Sequence, residues 1–94
     1  MFMMGKVRWS VLRTVHDVHV FIEIAVLQQT FECLFHLYSS MDEHLQLLVE
    51  ALPENGFILD DETLIIEKET GRVCDRWISL HLLNIHDGMT FVVY

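Results

Sequence analysis

The last sixteen residues, Ser79 to Tyr94 (SLHLLNIHDGMTFVVY), constrain the chain most. Leu80, Leu83 and Ile85 are spaced as apolar anchors around a short helical turn. Asn84 and Gly88 are residue types that accept positive φ, so a sharp left-handed turn is expected here. Met89 to Tyr94 then runs as an almost wholly apolar strand that closes the domain.

The rest of the chain supplies partners for that strand. Val18 to Leu27 (VHVFIEIAVL) alternates with a period of two. It predicts a first strand with Val18, Val20, Ile22, Ile24 and Val26 toward the core, and His19, Phe21, Glu23 and Ala25 away from it. Gln28-Gln29 makes a turn. Thr30 to Leu37 (TFECLFHL) predicts a second strand, with Phe31, Cys33, Phe35 and Leu37 inward and Glu32, Leu34 and His36 outward. Two alternating strands joined by a short turn form an antiparallel hairpin.

The period then changes. Ser40 is an N-cap candidate, with Glu43 three residues on as its capping-box partner. Met41, Leu45, Leu48, Val49 and Leu52 fall on one helical stripe. Pro53 ends the helix, because the residue before a proline avoids the α region. Phe57, Ile58 and Leu59 are expected to cover one edge of the core. Thr63 to Glu67 predicts a third strand, Glu69-Thr70-Gly71 a turn, and Arg72 to Cys74 a short fourth strand. The order β-β-α-β-β-turn-β is an α+β layout. A helix of about 12 residues covers one face of a sheet and leaves the other in solvent.

Ninety-four residues make one domain, and 52% apolar residues argue against disorder over most of it. The net charge of −8 argues against a nucleic-acid backbone as partner. The charge is uneven. Residues 17–94 hold 3 of the 6 cations and all 14 acids, a net of −11. Residues 1–16 are therefore a basic extension, and residues 17–94 the compact domain. In the extension, the alternation of Val7, Trp9 and Val11 with Arg8 and Ser10 suits an extra strand; a basic amphipathic helix or a disordered segment stays open. No apolar run reaches the ~18 residues of a membrane span. Arg8 and Arg13 interrupt any signal-peptide core. Cys33 and Cys74 lack metal-type spacing, so the reading is a cytoplasmic protein with reduced thiols.

The segment Leu64 to Asp75 (LIIEKETGRVCD) and the closing segment Ser79 to Tyr94 together resemble the ubiquitin superfamily. Within it they are most similar to the YukD/EsaB type, the small ubiquitin-like proteins of bacterial type VII secretion systems. The helix SMDEHLQLLVEAL is similar too. The resemblance covers residues 18–94 and implies a ubiquitin-like β-grasp with one helix packed on a mixed sheet. It also implies a non-catalytic protein-interaction module, accessory to such a secretion apparatus, with a machinery protein or a second copy as partner. The extension is additional to the family's compact domain, and the membrane spans of the related EccD proteins are missing. The alternative within the superfamily is a small modifier or sulfur carrier. That role needs a C-terminal Gly-Gly, so a chain ending at Tyr94 is expected not to serve it.

No catalytic constellation stands out. The six histidines include no helical pair at metal spacing, and they read as surface residues. Cys33 alternates into the core, and Asp75 beside Cys74 opposes a thiolate. No glycine-rich phosphate loop is present, and no cofactor is implied. The acidic run Asp60-Asp61-Glu62 reads as a solvated loop. The functional signal is the outer sheet face. With Glu67 taken as a solvent residue, Ile65 points the same way. With Phe91 and Val93 in the core, Val92 and Tyr94 point out. Ile65, Val92 and Tyr94, extended by Leu34 and Phe21, are then expected to form an exposed apolar protein-binding patch. The competing reading is that the extension covers this patch with Val7, Trp9 and Val11.

Overall fold

The computed structural model describes residues 15–52 and 57–94, together with the backbone of residues 2–3. The strands are β1 (Phe2–Met3), β2 (Asp17–Ile24), β3 (Gln29–His36), β4 (Ile65–Glu67) and β5 (Met89–Val93). They form one sheet in the order β1-β3-β2-β5-β4. β2 and β5 run parallel in the middle, and the other pairings are antiparallel. The helix α1 (Met41–Ala51) follows the β2–β3 hairpin. This is the expected α+β grasp.

The helix starts where its capping chemistry places it. Ser40 accepts from the Glu43 N–H at 3.1 Å, and the Glu43 carboxylate accepts from the Ser40 N–H at 3.2 Å. Met41, Leu45 and Leu48 are buried against Val18, Val20, Ile22, Ile24, Phe35, Phe91 and Val93. At ~25 cal/mol per Å² of apolar area, this interlocked cluster is the main favourable term in the fold. Leu80 is buried in it, with Leu83 and Ile85 packed alongside, so the closing turn anchors as expected. The turn is left-handed at Asn84 (φ 60) and Gly88 (φ 88). Asp87 accepts from the His19 N–H at 2.9 Å, and the Gly88 N–H donates to the His19 carbonyl at 2.8 Å. The Asp-Gly pair thus ties the start of β5 to β2.

Four expectations are corrected. The first strand stops at Ile24, because Ala25–Leu27 closes into a 3₁₀ turn ended by Gln28 in the left-handed region. Val26 leaves the alternation and stands 68% exposed, while Leu27 packs against the core. Residues 72–74 make only a single bridge, Ile66 to Val73, in place of a fourth strand. Ile58 points to solvent while Phe57 and Leu59 pack inward. His44 is no surface histidine: it is buried and stacks flat on Phe35, with ring centroids 4.2 Å apart. The expected strand through Val7, Trp9 and Val11, and the stop at Pro53, lie outside the described residues.

Candidate functional site

The outer sheet face differs in its details from the expected patch. Residues directly opposite on neighbouring strands share a face. Ile65 is opposite Val93 and Glu67 is opposite Phe91, so all four belong to the core side. Ile65 is accordingly 1% exposed, which corrects its expected outward position. Glu67 reaches that side only at the rim of the sheet, where its carboxylate accepts the backbone N–H groups of Glu69 and Thr70. A charged residue here marks a capped turn, not the solvent face. Ile66, opposite Val92, takes the outward place instead.

Phe21, Leu34, Ile66 and Val92 therefore lie on the face away from the helix. Leu34 and Val92 are only 3% and 7% exposed, so they offer little surface to a partner. Phe21 and Ile66 are half-buried. An ion pair between Lys68 and Glu23 at 3.3 Å borders them. The competing idea, a cover made by Val7, Trp9 and Val11, lies outside the described residues.

Tyr94 is the expected site residue that reaches solvent, at 61%. Its backbone pairs with Leu64 in both directions, at 2.9 and 3.4 Å, and extends the β4–β5 ladder. Around it the structure gathers residues that the sequence reading did not connect. Val26, Phe57, Ile58, Asp60, Glu62, Thr63 and Tyr94 line a cleft of about 360 Å³ at the end of the sheet. Val26 and Tyr94 are brought together because Ile24 of β2 pairs with Val93 of β5. Ile58, 74% exposed, supplies another wall. The only sequence signal for Ile58 was an apolar residue stranded between a turn and an acidic run.

The loop that bears Ile58 is held by Arg76. This buried guanidinium donates to the carbonyls of Asp60 and Thr63, at 2.6 and 3.1 Å. Thr63 also caps the loop: its hydroxyl accepts from the Asp60 N–H at 3.0 Å. The apolar wall is thus fixed by polar contacts beneath it.

A second cleft, of about 230 Å³, is lined by residues that include Arg72, Cys74, Ile85, His86 and Met89. Burial, reinforced by the Asp75 carboxylate, pushes the Cys74 thiol up to about 11. Burial also pushes the Cys33 thiol up to about 12. Neither is set up as a nucleophile. His16, His36 and His81 surround Tyr38, with centroids 5.1, 5.6 and 4.9 Å from its ring. Among the described residues no group of three or more His, Cys, Asp or Glu side chains is arranged to hold a metal ion. None of their helices is long and apolar enough to cross a membrane.

Comparison with known proteins places the architecture. A de novo designed protein based on ubiquitin is similar in structure, with a TM-score of 0.63 and 17% identity over 86% of this chain and 90% of that one. The ubiquitin-like domain of Dsk2 from Plasmodium falciparum is similar at TM-score 0.58 and 16% identity, over 83% of this chain and 99% of that one. A chain of the toluene 4-monooxygenase HD complex is similar at TM-score 0.61 and 9% identity, over 83% and 99%. No family model and no curated protein matches the sequence. The fold is a ubiquitin-like β-grasp, and it occurs both in ubiquitin-like domains and in an enzyme complex, so function has to be argued from the surface.

Proposed function

We propose that this protein is a non-catalytic interaction module that docks through the cleft around Tyr94. The observation that carries this reading is the convergence of three exposed apolar side chains, Val26, Ile58 and Tyr94, from three separate segments, on one cleft. Exposed apolar groups that gather in one concave place mark interaction sites more often than scattered ones do. Phe21 and Ile66 lie half-buried on the outer face of the sheet, beside the buried Leu34 and Val92. Ubiquitin-like domains such as that of Dsk2 share the scaffold, which is compatible with a binding role.

The partner we assign is a component of a bacterial type VII-like secretion apparatus. Its support is the resemblance of LIIEKETGRVCD and SLHLLNIHDGMTFVVY to the YukD/EsaB proteins. Two measurements test the proposal. A photo-cross-linking amino acid at position 94, in the native host, is expected to give a discrete adduct that Ile58→Glu removes. An adduct unaffected by Ile58→Glu, or none, overturns docking at the cleft. The genes beside this one are expected to encode a secretion ATPase and WxG-type helical hairpins; a locus without them overturns the secretion role.

A further inference from the structure

The Tyr94 cleft has a charge pattern as well as an apolar lining. We infer that it accepts an apolar side chain flanked by lysine or arginine on a partner segment. This inference rests on the docking role proposed above and adds the chemistry of the partner.

The volume decides the kind of guest. About 360 Å³ is near the lower limit of ligand pockets, which run from roughly 300 to 1,000 Å³. One bulky side chain fits such a space better than a nucleotide or a large cofactor. Val26, Phe57, Ile58 and Tyr94 supply the apolar walls that this side chain would dry.

The rim decides the charge of the guest. Asp60 and Glu62 line the cleft, Asp61 lies between them in the chain, and no cation among the described residues lines it. One oxygen of Asp60 is already occupied, accepting from the Glu62 N–H at 2.9 Å and from the Thr63 hydroxyl at 3.3 Å. The Asp61 and Glu62 carboxylates are exposed and make no ion pair among the described residues. Of the described cations, Lys68 pairs with Glu23 and Arg72 lines the other cleft, while Arg76, buried beneath the loop, has its charge paired with Asp42. Among the described residues no cation offsets the Asp61 and Glu62 carboxylates at the rim, and the net charge of residues 17–94 reinforces them at longer range. Charges placed around an apolar centre select the partner and steer its approach, while the centre supplies the contact.

The test uses the full chain, labelled with ¹⁵N, and two acetylated, amidated hexapeptides, KKLFKK and EELFEE. Titration with KKLFKK is expected to shift the amides of Val26, Ile58, Glu62 and Tyr94. EELFEE is expected to leave them in place. Ile58→Ser, which removes the apolar wall at a solvent-exposed position without adding charge, should abolish the response. The double variant Asp61→Asn, Glu62→Gln should weaken KKLFKK by about three- to tenfold, the size expected for two exposed ion pairs. Equal binding of both peptides in the cleft overturns the charge selection but leaves the docking site standing. Shifts centred on Arg72 and Met89, or none at the cleft, overturn the inference. If position 94 also yields no cross-link, the docking role falls with it.

Discussion

Arg76 donates both Nε and Nη2 to a single oxygen of Asp42, at 3.1 and 2.7 Å, across thirty-four residues of sequence. Both side chains are buried. The other carboxylate oxygen of Asp42 accepts from Gln46 at 3.1 Å, and the Asp42 N–H donates to the Arg76 carbonyl at 2.8 Å. The pair joins the first turn of α1 to the segment before the closing turn. Through Asp60 and Thr63 it also reaches the loop under the Tyr94 cleft.

Removing one member of a buried pair leaves the other charge without compensation, which typically costs about 3–5 kcal/mol. Arg76→Met should therefore destabilise the protein by that amount in urea denaturation. Exchanging both residues for apolar ones, Asp42→Leu with Arg76→Met, should cost less than the sum of the two single changes. Additive losses would show that the two groups do not act as a pair.

Stability should fall in mild acid because of His44. Its Nε2–H donates to the His36 carbonyl at 2.9 Å, and its Nδ1 is buried with no hydrogen-bond partner among the described residues. Burial pushes the imidazole below its ordinary value of 6.5, partly opposed by that hydrogen bond. The unfolded chain thus takes up the proton first as pH falls. The stabilising contribution is full above about pH 6.5 and is lost as the pH drops below it. Urea midpoints measured across this window should decline for the wild type and decline less for His44→Phe, which keeps the stack on Phe35. Parallel declines would show that His44 is not the group responsible.

Ile65 and Ile58 should behave as opposites. Ile65→Ala removes a buried side chain opposite Val93 and should cost about 2–5 kcal/mol. Ile58→Glu changes an exposed position and should shift stability by no more than about 0.5 kcal/mol. A small loss at Ile65 would place its side chain on the outer face.

The thiols should be slow. Burial and Asp75 raise Cys74 from 9.0 to about 11, so its thiolate fraction at neutral pH is roughly a hundredfold below that of a free thiol. Alkylation of the native protein with iodoacetamide should be correspondingly slow at Cys74, and slower still at Cys33. Both should react rapidly in urea. Rapid native modification of Cys74 would show an activated thiol in the smaller cleft.

Local chemistry determined a good part of this protein from sequence alone. The Ser40–Glu43 capping box, the helical stripe through Met41, Leu45 and Leu48, and the left-handed turn at Asn84 and Gly88 each depend on a few neighbouring residues. Their positions could be read directly, and their order implied the grasp. Tertiary structure decided the rest. In β4 two adjacent isoleucines leave Glu67 as the one cue to the phase, and that cue misleads because Glu67 caps a turn at the rim of the core side, so the phase is set only where Ile65 meets Val93. Val26 continued the alternation on paper, but the 3₁₀ turn after Ile24 swung it to the surface. The Asp42–Arg76 pair and the burial of His44 join distant segments and leave no periodic trace. The cleft is the same kind of feature: Val26, Ile58 and Tyr94 become one surface only because β5 pairs with β2 and Arg76 pins the loop between them.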